Sequence, residues 1–200
     1  MMKHIPLLLI FLSILSCKLD KATKTDKRHN PYEHITQNIA DEKAIELYSL
    51  GVESFENRDF EEAQKHLKES FAIEKSPITL NELGTISLAK KDYKAALSYF
   101  NHGISIDKFY YPNHINKSRT LVLLSEFEKA ENTLELMLQD CDSEYWKAYA
   151  NMWISFINLK GSLNCDKAKE SIKKAEFIKN DPDLSQQYGR IKSGIEKNCS

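Results

Sequence analysis

Glycine and proline are scarce in this chain, six and five among 200 residues, which leaves few tight turns and excludes collagen-like or low-complexity architecture. An excess of one charge is also missing: 28 Lys and Arg stand against 29 Asp and Glu, mixed along the chain. No basic tract or stripe offers a footprint for a phosphate backbone, so no nucleic-acid partner is expected. H-E-x-x-H, G-x-S-x-G, Walker A and C-x-x-C patterns are absent. His66, His102 and His114 come from three different segments without metal-ligand spacing and read as surface or helix-end residues. Nothing points to a catalytic group, a cofactor, a metal or a small-molecule substrate. What is present is 42% hydrophobic residues, enough for a real core, in a composition that suits long helices.

Lys3 and His4 precede an apolar stretch from Ile5 to Leu15, followed by Ser16 and Cys17. The stretch is shorter than the ~20 apolar residues a membrane-spanning helix needs, and its flanks read as a secretory signal peptide. Ile14-Leu15-Ser16-Cys17 resembles the lipobox of bacterial lipoproteins, with Leu15 bulkier than the residue usual there. That resemblance implies a signal peptide over residues 1–16 and lipidation of Cys17, which becomes the new first residue. An ordinary signal peptide with an incidental cysteine and an uncleaved anchor are the other readings. The polar stretch over residues 17–40, closed by Asn30-Pro31, reads as a flexible tether, physically indistinguishable from an unstructured terminus without a role.

From Asp41 onward, amphipathic helical stretches alternate with short polar breaks over residues 41–200. Asp59-Phe60-Glu61-Glu62-Ala63 returns as Asp92-Tyr93-Lys94-Ala95-Ala96 and as Glu126-Phe127-Glu128-Lys129-Ala130. Self-similarity at about 33–34 residues marks a stacked array of helical hairpins. The positions Leu50-Gly51, Phe60, Ala63 and Leu67, then Leu83-Gly84, Tyr93, Ala96 and Phe100, resemble the tetratricopeptide repeat. The small residues fall where two helices touch, and the large ones fill the groove towards the next hairpin. The resemblance implies an all-α, right-handed superhelical array of about four hairpins, with units over 44–76, 77–110, 111–144 and 145–181.

The third unit keeps Phe127, Ala130 and Leu134 but has Lys117-Ser118 in place of Leu-Gly, so its first helix, Asn113 to Leu124, is expected to pack differently or less tightly. In the fourth, an aromatic-rich helix from Tyr145 to Leu159 precedes a long connection over Lys160 to Asp166 and a helix from Lys167 to Ile178. Trp146, Tyr149, Trp153 and Phe156 on one face read either as core packed on the third unit or as an exposed strip for a partner. Leu184, Tyr188, Ile191 and Ile195 form a single stripe, as a capping helix over 183–198 requires.

Cys165 falls just before the fourth unit's second helix and Cys199 just after the cap. If those helices run antiparallel, the two cysteines meet, and a disulfide in an oxidising compartment would pin the cap. Three unbridged thiols are the other reading. Cys141, at the far end of the Tyr145–Leu159 helix, lies beyond reach of Cys165.

Arrays of this kind bind along the concave wall made by each first helix. The resemblance places Tyr48, Val52 and Phe55, then Asn81, Thr85 and Leu88, then Ile115, Arg119 and Val122, then Asn151 and Ser155 on that wall. Of these, Tyr48, Asn81, Thr85, Arg119, Asn151 and Ser155 are the candidate partner-binding residues, with Arg119 the lone inward cation. The implied function is a non-catalytic, lipid-anchored protein of the bacterial cell envelope, at the outer membrane or the periplasmic face of the inner membrane. It would hold a peptide or helix of another protein. The alternative is a structural accessory subunit of a cell-wall or outer-membrane assembly complex.

Overall fold

The computed structural model describes residues 39–199. The expected signal peptide, Cys17 and all but the end of the expected tether lie outside the described residues. Nine α-helices and no strand occur among the described residues. They form consecutive hairpins: α1 (Glu42–Glu56) with α2 (Phe60–Ile73), α3 (Pro77–Ala89) with α4 (Tyr93–Ile106), and α5 (Tyr111–Leu123) with α6 (Phe127–Asp140). The fourth pairs α7 (Glu144–Ile157) with α8 (Cys165–Lys174), and α9 (Ser185–Asn198) follows as the cap. Each hairpin stacks on the next, so the fold is a superhelical array.

Local chemistry sets the helix starts. The side chains of Asp41, Asp59, Asp92, Ser143 and Asn164 each accept a hydrogen bond from a first-turn backbone N–H. Pro77 and Pro112 occupy the first turns of α3 and α5, where a missing N–H costs nothing. Inside every hairpin the residue just before the second helix's N-cap is left-handed: Arg58, Lys91, Ser125 and Leu163 have φ of 63°, 62°, 60° and 48°. This recurring reversal, made without glycine, turns each first helix back on itself.

The hairpins close where small residues meet. A Cβ on Gly51 would stand 2.6 Å from Leu67 Cγ, and one on Gly84 would enter the Phe100 ring. Ser118 and Ser155 occupy the same place in the third and fourth units. Their hydroxyls donate to the carbonyls of Ala130 at 2.9 Å and Ala168 at 2.8 Å. The third hairpin therefore does pack differently, through a hydrogen bond rather than an empty face. Ser118 precedes Ala130 by 12 residues and Ser155 precedes Ala168 by 13. A single π-helical turn, Asn158–Ser162, takes up the extra residue.

Several expected boundaries shift. The third unit's first helix begins at Tyr111 rather than Asn113, because Pro112 fits its first turn. The fourth unit's second helix starts at Cys165 and ends at Lys174, with a short 3₁₀ turn over Glu176–Ile178. Ile39 and Ala40, assigned to the tether, belong to the fold. Ile39 is buried, and the Glu74 carboxylate accepts hydrogen bonds from the backbone N–H groups of Ala40 and Asp41.

The core runs as three clusters down the array. One joins α1–α4 around Tyr48, Leu67, Ile78 and Leu83, and another joins the third hairpin to α7 around Ile115, Leu134 and Ile154. The last joins α7 and α8 to the cap through Met152, Ile172, Ile191 and Ile195. Burying a side chain such as Phe100 or Leu67 in full contributes about 1.5–3 kcal/mol. Cys165 and Cys199 form a disulfide that ties the start of α8 to the end of α9. Cys141 is a buried thiol, and burial pushes its pKa up, which makes it a poor nucleophile where it sits.

Candidate functional site

Counting from the crossing residue puts all four first helices in one register. The position three before it holds Tyr48, Asn81, Ile115 and Met152, all buried between neighbouring units. The position one after it holds Val52, Thr85, Arg119 and Phe156, all reached by solvent. Between these rows lie Ser49, Glu82, Asn116 and Trp153. The rows form the inner wall of the array, continued by the half-buried Phe55, Leu88 and Val122.

This register relocates several of the candidate residues. Tyr48 and Asn81 serve inter-unit packing rather than an open surface. Ser155 is a crossing residue, fully buried against α8, and the wall position expected of it belongs to Phe156. Asn151 is half-buried and donates its amide to the Lys147 carbonyl at 2.8 Å along its own helix. Thr85 reaches the wall, although its hydroxyl donates back to the Asn81 carbonyl at 2.9 Å. Arg119 is exposed on the wall. His114, expected at the surface or at a helix end, lies near the start of α5 and is buried, with Nε2 3.0 Å from the Lys108 carbonyl, and burial lowers its pKa.

Arg119 is held at the end of a polar ladder. Asn113 Nδ2 donates to the Pro77 carbonyl at 3.2 Å, and Asn81 Nδ2 donates to Asn113 Oδ1 at 3.1 Å. Asn116 Nδ2 reaches Asn81 Oδ1 at 3.4 Å, and Asn116 Oδ1 accepts from Arg119 Nη1 at 2.9 Å. The guanidinium lies over the Trp153 ring, 5.6 Å from its centroid. One hydrogen bond and one aromatic face thus fix its direction, while further N–H donors remain for an outside acceptor. No carboxylate pairs with it among the described residues, so the site is a pre-oriented cation in search of an anion.

Trp153 packs edge-on against Phe156 at 5.5 Å, while Trp146 and Tyr149 stack at 5.9 Å and Trp146 reaches Tyr111 at 6.1 Å. The aromatic face of α7 therefore divides. Its first half packs on the third unit, and its second half lines the wall. Near the other end of the wall Glu82 is buried, its Oε1 has no hydrogen-bond partner, and burial pushes its pKa up to about 7. Asn116, Glu82 and Phe156 were not identified from sequence as wall residues; counting from the crossing residue would have found them.

The tetratricopeptide repeat family model matches residues 79–110, which span the second hairpin. A solved tetratricopeptide repeat protein from Parabacteroides merdae superposes with a TM-score of 0.62 at 20% identity, over 79% of this chain and 60% of that one. The fold is a tetratricopeptide-repeat array. YrrB, described as a tetratricopeptide repeat protein with an unusual peptide-binding site, superposes with a TM-score of 0.57 at 18% identity, covering 74% of each chain. Tetratricopeptide repeat protein 12 of Mus musculus is 28% identical over 152 residues, 76% of this chain, and the match spans 20% of that protein's length. Arrays with this repeat are scaffolds for protein–protein contacts. Among the described residues, no group of three or more His, Cys, Asp or Glu gathers to hold a metal ion. No described helix is long and apolar enough to cross a membrane.

Proposed function

We propose that this chain is a non-catalytic scaffold, tethered by lipid on Cys17 to a membrane of the bacterial cell envelope, whose inner wall captures a peptide or helix of another protein. The observation that carries the reading is Arg119, exposed yet held by Asn116 and Trp153. An exposed guanidinium directed in this way can meet a carboxylate of a partner. The row of Tyr48, Asn81, Ile115 and Met152 is buried along the whole wall, whereas the row of Val52, Thr85, Arg119 and Phe156 is reached by solvent in every unit. That open row supports recognition over the role of an assembly-complex subunit. YrrB is described as having an unusual peptide-binding site, and the shared architecture supports the same use here. Lipid attachment restricts the search for partners to a surface and raises effective concentration.

Arg119→Ala tests capture. Partners crosslinked to the intact protein in its native envelope should be lost from the variant while its helical content stays unchanged. An identical set of crosslinked partners would remove the inner wall from the reading. Cys17→Ala tests tethering separately, through loss of metabolic labelling with an alkyne-tagged fatty acid and release from the membrane fraction.

A further inference from the structure

Where α7 runs out into its π turn, the cap leaves a cleft of about 350 Å³. Phe156, Leu159, Leu163 and Ile191 make its walls. The cap approaches closely at Gly194, where a Cβ would stand 2.9 Å from Leu159 Cδ2. Leu163 is 57% exposed, on a residue held left-handed at the turn, so an apolar lip faces water.

Lys160 and Arg190 stand at the rim, and no acidic residue lines the cleft. Both side chains are exposed, and neither has a carboxylate partner among the described residues. Lys65 pairs with Glu62 at 2.7 Å, Lys90 with Glu61 at 2.8 Å and Lys167 with Glu131 at 2.7 Å, whereas Lys160 and Arg190 are among the described cations without such a carboxylate. The rim is therefore an uncompensated positive edge around an apolar slot, a form complementary to an apolar group beside negative charge. The cleft also continues the inner wall without a break. Arg119 covers Trp153, Trp153 meets Phe156, and Phe156 lines the cleft.

We infer that the cleft between the fourth hairpin and the cap anchors a bulky apolar side chain of an acidic peptide, whose carboxylates meet Lys160 and Arg190 there and Arg119 further along. The inference rests on the peptide-capture reading above and names the chemistry of the partner. A peptide suits the site better than a fatty acid, because the apolar slot opens onto an aromatic wall that carries a third cation. The apolar side chain supplies desolvation in the slot, and the carboxylates fix direction along the wall.

The test uses the full chain with its disulfide intact and a random dodecapeptide display library as probe. Selected peptides should carry Phe, Leu, Trp or Met flanked by Asp or Glu. Their affinity, read by fluorescence anisotropy, should fall about tenfold or more in the Lys160→Glu/Arg190→Glu protein and with added salt. Replacing the peptide's apolar residue by Ala should lower it comparably. Both substituted side chains are exposed, and an unchanged circular dichroism spectrum shows that the array remains folded. Binding that is lost in Arg119→Ala but unchanged in the rim variant overturns this inference and leaves the wall reading intact. Binding unchanged in both, or no selected peptides, overturns both. Selected peptides without acidic residues, or displacement of a bound peptide by decanoate alone, also overturn it, the latter in favour of a fatty-acid site.

Discussion

The hydroxyl of Ser118 lies 2.9 Å from the carbonyl oxygen of Ala130, at the point where Gly51 and Gly84 bring the other hairpins together. A serine adds a Cβ and an Oγ to the glycine it replaces, and at this crossing the Oγ makes a hydrogen bond to the facing backbone. Ser118→Ala should therefore cost about 1 kcal/mol, the usual worth of such a bond, and Ser118→Leu about 1–3 kcal/mol or more through overpacking. Gly84→Ala should lose a similar 1–3 kcal/mol, since its Cβ would enter the Phe100 ring. Urea unfolding of the three variants measures these losses. Ser118→Leu as stable as wild type would mean that the third crossing is loose.

The left-handed turn residues give a prediction of opposite sign. Lys91 is exposed with φ of 62°, in a conformation that disfavours a Cβ by about 1 kcal/mol. Glycine removes that penalty but enlarges the unfolded ensemble, so Lys91→Gly should raise stability by up to about 1 kcal/mol. The same substitution at Lys68, exposed in the interior of α2, should lower it by about 1 kcal/mol. Equal effects of the two substitutions on the unfolding midpoint would count against the turn geometry.

Close approach explains which parts of the array were legible in the sequence. Leu50-Gly51 with Ala63, and Leu83-Gly84 with Ala96, leave a compositional mark because only small residues fit there. The third and fourth crossings leave a fainter one, since serine does by hydrogen bonding what glycine does by absence. The wall was misread in the fourth unit for a related reason. Ser118 and Ser155 are 37 residues apart, against 33 from Gly51 to Gly84 and 34 from Gly84 to Ser118, so a register carried forward by the earlier period does not reach Phe156. The ladder of Asn81, Asn113 and Asn116 leaves no periodic signal, because it depends on contacts across neighbouring units.

The Cys165–Cys199 disulfide closes a segment with a sequence separation of 34 and holds the outermost helix of the array. Terminal units of repeat arrays have one neighbour only and open first. Replacing both cysteines by Ser should cost about 2–4 kcal/mol, concentrated at that end. Hydrogen exchange should show α9 losing protection while α1–α4 keep theirs. Uniform loss along the chain, or none, would mean that the cap is held by its Tyr188, Ile191 and Ile195 face alone.

Glu82 ties the wall to pH. Burial pushes its carboxyl from an ordinary 4.5 up to about 7, so the folded protein holds this proton more tightly than the unfolded chain does. Between these values the folded state binds more protons, and stability must fall as pH rises. The favourable neutral form is fully present below pH 4.5 and is lost as pH passes through about 7. At about 1.4 kcal/mol per pH unit, ionising Glu82 costs the fold about 3 kcal/mol at pH 8. Glu82→Gln keeps the shape and cannot ionise. The variant should match wild type near pH 4 and exceed it by up to about 3 kcal/mol at pH 8, with the difference opening across pH 5–7. Comparing the two proteins at each pH cancels every other titrating group. A constant difference in unfolding free energy from pH 4 to 8 would mean that Glu82 ionises as freely in the fold as out of it.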